Sequence, residues 1–114
     1  MNENMTKWVE ALRSMEYKQG KCRLKTHGQY CCLGVACELY RQEYPTTSYW
    51  NEDSIFVVDG IPNHLDLPVV VQDWLGVFDA SVEILNGATS LTGLNDSGLD
   101  FLGIAAVIEG EFHE

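Results

Sequence analysis

The 114-residue chain predicts one α+β domain, residues 1–114, with about four helices around a central apolar helix (30–42) and a small antiparallel sheet. Three observations predict this class. Residues 30–40 hold one charge in eleven positions and are apolar nearly all round, as in a helix covered on several sides. Other stretches repeat apolar residues at helical spacing. Two short apolar runs end in turn dipeptides, which is typical of strands.

The central helix has its apolar residues at helical spacing: Cys32, Val35, Ala36, Leu39 and Tyr40. Its residues are small, so we expect neighbouring backbone to come close to it. Pro45 cannot continue a helix and disfavours helix at the residue before it, so the helix should end within residues 41–44.

Before it, residues 5–15 predict an amphipathic helix with Asn4 as N-cap. Its inner face is Met5, Trp8, Val9, Leu12 and Met15. Cys22 and Leu24 then alternate with basic residues, which is a weak strand pattern. The dipeptide His27-Gly28 predicts a turn into the central helix.

After it, residues 46–54 predict a polar loop, 55–58 a buried strand closed by Asp59-Gly60, and 61–66 irregular chain. Pro68 suits the first position of a third helix, which Gly76 should end. The inner face of that helix would be Val71, Trp74, Leu75 and Phe78.

Further on, residues 81–85 alternate as a second strand, which Asn86-Gly87 ends. A short helical turn at 90–94 and a tight polar turn at 95–98 follow. Asp100 can cap a last helix, which Gly110 should end before a frayed tail at 111–114. Its apolar face would be Phe101, Ile104, Ala105 and Ile108.

Charge is distributed unevenly along the chain, whose net charge is −10. Residues 1–25 hold six Lys or Arg and three Glu, a net +3, whereas the remainder holds 14 acidic residues and Arg41 alone, a net −13. This asymmetry predicts an electropositive region on an acidic body.

The basic segment is therefore the first candidate binding site. Its cationic heads could gather around an anionic small molecule such as a nucleotide signal, with aromatic rings stacking on a base. The alternative is that these lysines are solvated and pair with the acidic body. The predicted ligand-binding residues are Tyr17, Lys18, Lys21, Arg23, Lys25, His27, Tyr30 and Trp50, with Arg13 as a further basic neighbour.

Two other functions stay open. The acidic surface could mimic nucleic acid and block a host nucleic-acid-binding protein, although acidity also simply keeps proteins soluble. A small enzyme could use Cys31 or Cys32 with His27, or His64 with a nearby aspartate. Residues 91–108 imitate a helix-turn-helix, but acidic residues surround it, so we expect no duplex binding. We assign no catalytic residue and no cofactor, and a homodimer is an open possibility.

The four cysteines should be buried, reduced thiols rather than disulfides or metal ligands. Cys31 and Cys32 are adjacent, and neighbours on a helix point in different directions. The paired spacing of a zinc site is absent, so we assign no metal. No long apolar run or export signal is visible, so we expect a cytoplasmic protein with no membrane partner.

Five motifs together resemble a family of short proteins carried by tailed bacteriophages and prophages. They are W-x-x-A-L-R-S from Trp8, Y-x-Q from Tyr17, Y-C-C-L-G-V-x-C from Tyr30, L-P-x-x-V-x-x-W-L-G from Leu67, and L-N-D-x-G-x-x-F-x-x-I-A from Leu94. The resemblance covers nearly the whole chain and implies an accessory role in phage life, such as host takeover or counter-defence. Gly103 departs from the family pattern, where a longer, often acidic residue is expected.

Overall fold

A computed structural model describes residues 1–112 of the chain. Its helices are α1 (Glu3–Arg13), α2 (Cys32–Glu43), α3 (Val69–Leu75), α4 (Leu91–Asp96) and α5 (Phe101–Phe112). Its strands are β1 (Lys25–Thr26), β2 (Gln29–Tyr30), β3 (Ser48–Trp50), β4 (Phe56–Val58), β5 (Ile61–Asn63), β6 (Glu83–Ile84) and β7 (Thr89–Ser90). The predicted α+β class is confirmed, with three small antiparallel sheets, β1–β2, β3–β4–β5 and β6–β7. None of these helices combines the length and hydropathy needed to cross a membrane.

Helix α2 is the buried centre of the fold, as predicted. It begins two residues later than predicted, because Tyr30 belongs to β2 and Cys31 is the N-cap. It contacts α1, α3 and α4, and its first seven residues are all buried. Gly34 shows why small residues are needed there, because a Cβ at this position would overlap the carbonyl oxygen of Leu24. The segment before α2 therefore crosses directly over the first turn of the helix.

Helix α1 begins two residues earlier than predicted. Asn2, not Asn4, is the N-cap, and its side-chain oxygen accepts a hydrogen bond from the Met5 amide. Because the helix ends at Arg13, Met15 lies beyond it and is 76% exposed. The predicted inner face is otherwise confirmed, and the Trp8 indole N–H donates to the Cys32 carbonyl at 2.9 Å.

Four of the strands within residues 1–112 were not predicted: β2, β3, β5 and β7. Residues 48–50 and 61–63 were predicted as loop and irregular chain, yet they pair with the two edges of β4. The Asp59-Gly60 turn joins β4 to β5, and both residues adopt positive φ, 51° and 79°, as a tight hairpin requires. Trp50 consequently belongs to a strand rather than a loop.

Four details in the second half of the chain also differ from the prediction. Gly76 ends α3 in the left-handed conformation as predicted, so Phe78 falls outside the helix and is 98% exposed. Asn95 and Asp96 lie in α4 rather than in a turn. Helix α5 continues through Gly110 to Phe112. The predicted frayed tail is thus helical as far as it is described, and its last two residues lie outside the described part.

Asp100 caps α5 as predicted, accepting from the Gly103 amide at 2.9 Å. The glycine at 103 has a packing role, because a Cβ there would come within 2.6 Å of the Leu99 side chain. The departure from the resembled family pattern is therefore accommodated by the placement of Leu99.

Candidate functional site

Residues 17–30 are held in place mainly by backbone hydrogen bonds. The Gly20 amide donates to the Tyr30 carbonyl at 2.7 Å, and the Tyr30 amide donates to the Lys18 carbonyl at 2.8 Å. Strands β1 and β2 form a hairpin with a two-residue loop, His27-Gly28. The sequence predicted a turn at these two residues, and both have positive φ. The weak strand pattern fails at Cys22, whose φ of 70° interrupts the extended chain and leaves the residue exposed.

A buried asparagine fixes the same segment to α2. The Asn95 side chain, 0% exposed, donates to the Gly20 carbonyl at 2.9 Å. Its oxygen accepts from the Cys32 amide at 3.1 Å and from the Gln19 side chain at 3.0 Å. We call Gln19, Gly20, Cys32 and Asn95 the polar junction. All hydrogen-bonding groups of the Asn95 amide except one N–H are thereby used, which is typical of a structural residue.

Next to this junction, three aromatic rings and a lysine lie together on the surface. The rings of Tyr17 and Tyr30 meet edge to face at 5.5 Å between centroids, and those of Tyr30 and Trp50 at 5.8 Å. The Lys25 ammonium lies 5.2 Å from the ring centroids of both Tyr30 and Trp50. We call these four residues the aromatic–lysine cluster. All four were predicted ligand-binding residues.

The Lys25 ammonium has no carboxylate within ion-pair distance among residues 1–112. Aromatic faces attract a cation, but each contact contributes only about 0.5–2 kcal/mol and leaves the charge formally unneutralised. The ammonium can therefore still pair with an incoming anion. Burial raises the pKa of both Tyr17 and Tyr30, so their hydroxyls stay protonated at neutral pH.

Beneath the cluster lies a buried carboxylate that the sequence analysis did not select. Glu38 accepts from Arg41 at 2.8 and 2.7 Å, from the Gln42 amide at 2.9 Å and from the Trp50 indole at 2.9 Å. Burial alone would raise the pKa of Glu38, but these hydrogen bonds outweigh it and lower the pKa to about 2. Glu38 thus holds Trp50 in place and is unsuited to accept a proton near neutral pH. Glu38 is the single charged residue in the apolar stretch 30–40, and this position could have identified it from the sequence.

The structure does not bring the other predicted residues into the cluster. Lys21 and Arg23 form no ion pair or aromatic contact among residues 1–112, and His27 reaches only the neighbouring Thr26 hydroxyl. Arg13 pairs with Glu109 on α5 instead. Lys18 lines a separate surface pocket of about 290 Å³ that it shares with Tyr17 and Asp100. Tyr17 thus connects the pocket with the aromatic–lysine cluster.

The cysteines give no support to a thiol nucleophile. Cys31 caps α2 through its sulfur, which accepts from the Gly34 amide at 3.4 Å, and burial raises its pKa to about 11. Burial also raises the pKa of Cys32 and Cys37 well above the usual value. All four cysteines are free, and three are buried as predicted, whereas Cys22 is exposed. No set of three potential metal ligands clusters within residues 1–112.

Comparison with known families gives one result. Residues 1–112 match the family described as a domain of unknown function, DUF8296, and since the match covers nearly the whole chain, the protein belongs to this family. No curated protein and no solved structure matches the chain.

Proposed function

We propose that this DUF8296 member is a phage-type accessory protein that captures an anionic small molecule, such as a nucleotide, at the aromatic–lysine cluster. The observation that carries the proposal is the position of the Lys25 ammonium, 5.2 Å from two aromatic ring centroids and without a carboxylate partner among the described residues. The cation can pair with a phosphate, and the aromatic surface beside it can stack on a base.

The energetic argument favours a nucleotide over a bare anion. A single exposed ammonium gives a free phosphate little affinity in water, because the ion pair is screened. Stacking of a base on an aromatic ring adds about 1–3 kcal/mol. Edge contacts among the three rings and the hydrogen bond from Trp50 to Glu38 restrict ring motion, which lowers the entropy cost of that stacking.

The test is thermal unfolding with a panel of nucleoside mono- and diphosphates, compared with the corresponding nucleosides and inorganic phosphate. Wild-type protein should gain about 10 °C in Tm with a nucleotide present at about 100 times its Kd, which corresponds to about 2.7 kcal/mol. Lys25→Met keeps the apolar stem but removes the charge, and should reduce the gain to that seen with the corresponding nucleoside.

Lys21→Met is the matched control, since it removes the same charge from the same segment outside the cluster. It should retain the nucleotide-dependent gain. The proposal fails if no nucleotide shifts the wild-type Tm, or if both lysine variants lose the shift equally, which would indicate unspecific attraction to positive charge.

Blockade of a host nucleic-acid-binding protein is the second candidate function. It is favoured by the absence of any Lys or Arg after Arg41 in the sequence, and by the fact that only Glu38 and Glu109 form ion pairs among the acidic residues within 1–112. Unpaired carboxylates over most of the surface would attract a cationic groove. Under this candidate a host DNA-binding protein co-purifies at low salt, and Lys25→Met leaves the complex intact.

A further inference from the structure

The pocket beside the cluster contains two opposite charges that do not neutralise each other. Lys18 and Asp100 both line it, yet they form no ion pair within 4.0 Å. One carboxyl oxygen of Asp100 accepts from the Gly103 amide at 2.9 Å, while the other has no partner among residues 1–112. The pocket therefore offers a separate acceptor and a separate cation to a ligand.

Its walls are apolar and unusually exposed. Met15 is 76% and Leu102 49% exposed, and the rings of Tyr17 and Phe101 complete the lining. Exposed apolar side chains around a concavity are typical of a site that a flat apolar group covers. The volume of about 290 Å³ is ample for one purine ring system.

The Gln19 side chain, which also lines the pocket, has a fixed orientation. The Gln19 side-chain nitrogen donates to both Asn95 and the Leu99 carbonyl, at 3.0 and 2.8 Å. Its oxygen is therefore the end left over to accept a hydrogen bond. The pocket consequently presents acceptors from Gln19 and Asp100, beside donors from the Lys18 ammonium and the Tyr17 hydroxyl.

We infer that this pocket selects guanine, so that the captured ligand is a guanine nucleotide. Guanine carries two adjacent donors on its Watson–Crick edge, N1–H and the N2 amino group, and the free oxygen of Asp100 can accept from them. Adenine places an acceptor, N1, at the corresponding position and would repel it. The phosphates extend past Lys18 toward Lys25, since Tyr17 borders both the pocket and the cluster.

This inference rests on the proposed function and deepens it. Its test is isothermal titration with GDP, ADP and guanosine against wild-type protein, Asp100→Asn and Asp73→Asn. Asparagine is as good an N-cap as aspartate, so the first variant should keep α5 intact. Asp73→Asn is the charge-matched control on α3, which contributes no lining residue to this pocket.

We expect wild-type protein to bind GDP at least about tenfold more tightly than ADP, as one charge-assisted hydrogen bond allows. Asp100→Asn should remove this preference by weakening GDP alone, and Asp73→Asn should leave it unchanged. Guanosine should bind more weakly than GDP. Equal affinities for GDP and ADP, or a preference that survives Asp100→Asn, would overturn the guanine inference and leave anion capture standing. If neither GDP nor ADP binds, both the guanine inference and the proposal of anion capture are wrong.

Discussion

The two ends of α2 are organised differently. At its N-terminal end the polar junction joins three segments through buried hydrogen bonds, and Gly34 touches the Leu24 backbone. In its C-terminal half, which begins at Glu38, this carboxylate holds Trp50 beneath a partly exposed cluster in which the Lys25 ammonium lacks a carboxylate partner among the described residues. At the first end the polar groups are used in hydrogen bonds that stabilise the fold. At the second end the Lys25 ammonium stays available to a ligand.

This difference separates residues that matter for stability from those that matter for binding. A buried donor or acceptor that loses its partner costs about 1–3 kcal/mol, whereas a half-exposed lysine contributes little. Substitutions at the two ends should therefore differ in their effect on unfolding, and the following four predictions test that difference.

The largest effect should come from Gly34→Ala. The new Cβ would overlap the Leu24 carbonyl oxygen and lie 2.7 Å from its carbon, so the crossing backbone must move. We expect a loss of about 3 kcal/mol or more in the free energy of unfolding, measured in urea. Gly93→Ala on α4 is the control, because its Cβ meets only ordinary contacts at 3.4 Å or more, and it should change stability by less than about 1 kcal/mol.

Asn95→Asp should be next. The change is nearly isosteric, but it replaces the donor to the Gly20 carbonyl with a carboxylate oxygen and places a charge in the core. We expect about 2–4 kcal/mol of destabilisation by the same measurement. Asn86→Asp, exposed in a turn, should change stability by no more than about 0.5 kcal/mol. A small effect at position 95 would mean that the polar junction contributes little.

Glu38→Gln should have a smaller and pH-dependent effect. The folded-state pKa of Glu38, about 2, lies below its ordinary value of 4.5, so its contribution is complete above pH 4.5 and is lost as the pH falls toward 2. The contribution at neutral pH is on the order of 2 kcal/mol. The free energy of unfolding of the wild-type protein should exceed that of Glu38→Gln above pH 4.5, and this difference should disappear between pH 4.5 and 2. Urea unfolding at each pH measures it. A difference that stays constant over that window would contradict this assignment.

The smallest effect on stability should come from Lys25→Met. Removal of two cation–π contacts at a half-exposed position should cost no more than about 1 kcal/mol, and the retained stem preserves the packing. Lys21→Met should be neutral within about 0.5 kcal/mol. If Lys25→Met loses several kcal/mol in the free energy of unfolding, measured in urea, the aromatic–lysine cluster is structural. The two ends of α2 would then not differ as described.

Much of the helical architecture could be predicted because it depends on local periodicity. Helices α1, α2 and α5 follow apolar spacing over three turns, and the Gly76 stop and the Asp100 cap follow from the chemistry of those residues. Strands β3 and β5 could not be predicted. They are three residues long, and β5 contains a proline, so no alternating pattern distinguishes them from loops.

The candidate site was predictable in part. The charge asymmetry and the aromatic residues pointed to the segment from Tyr17 to Tyr30, but which lysine meets a ring depends on pairings across many residues. Asn95 contacts Gly20 across 75 positions, and Glu38 contacts Trp50 across 12. The sequence order of these residues carries no sign of those contacts, so Asn95 was interpreted as part of a tight polar turn at 95–98.

The Leu24 segment, which crosses over α2, covers a cysteine thiol that can report when this segment opens. Cys31, whose amide donates to the Leu24 carbonyl at 3.2 Å, lies beneath that segment and is 5% exposed, whereas Cys22 is exposed. A thiol reagent should modify Cys22 at once and Cys31 only when the segment lifts. The labelling rate of Cys31 in a Cys22→Ser background, followed by peptide mass spectrometry, would then report how often the segment detaches in the native state, and a bound ligand that anchors Tyr17 and Lys25 should slow it.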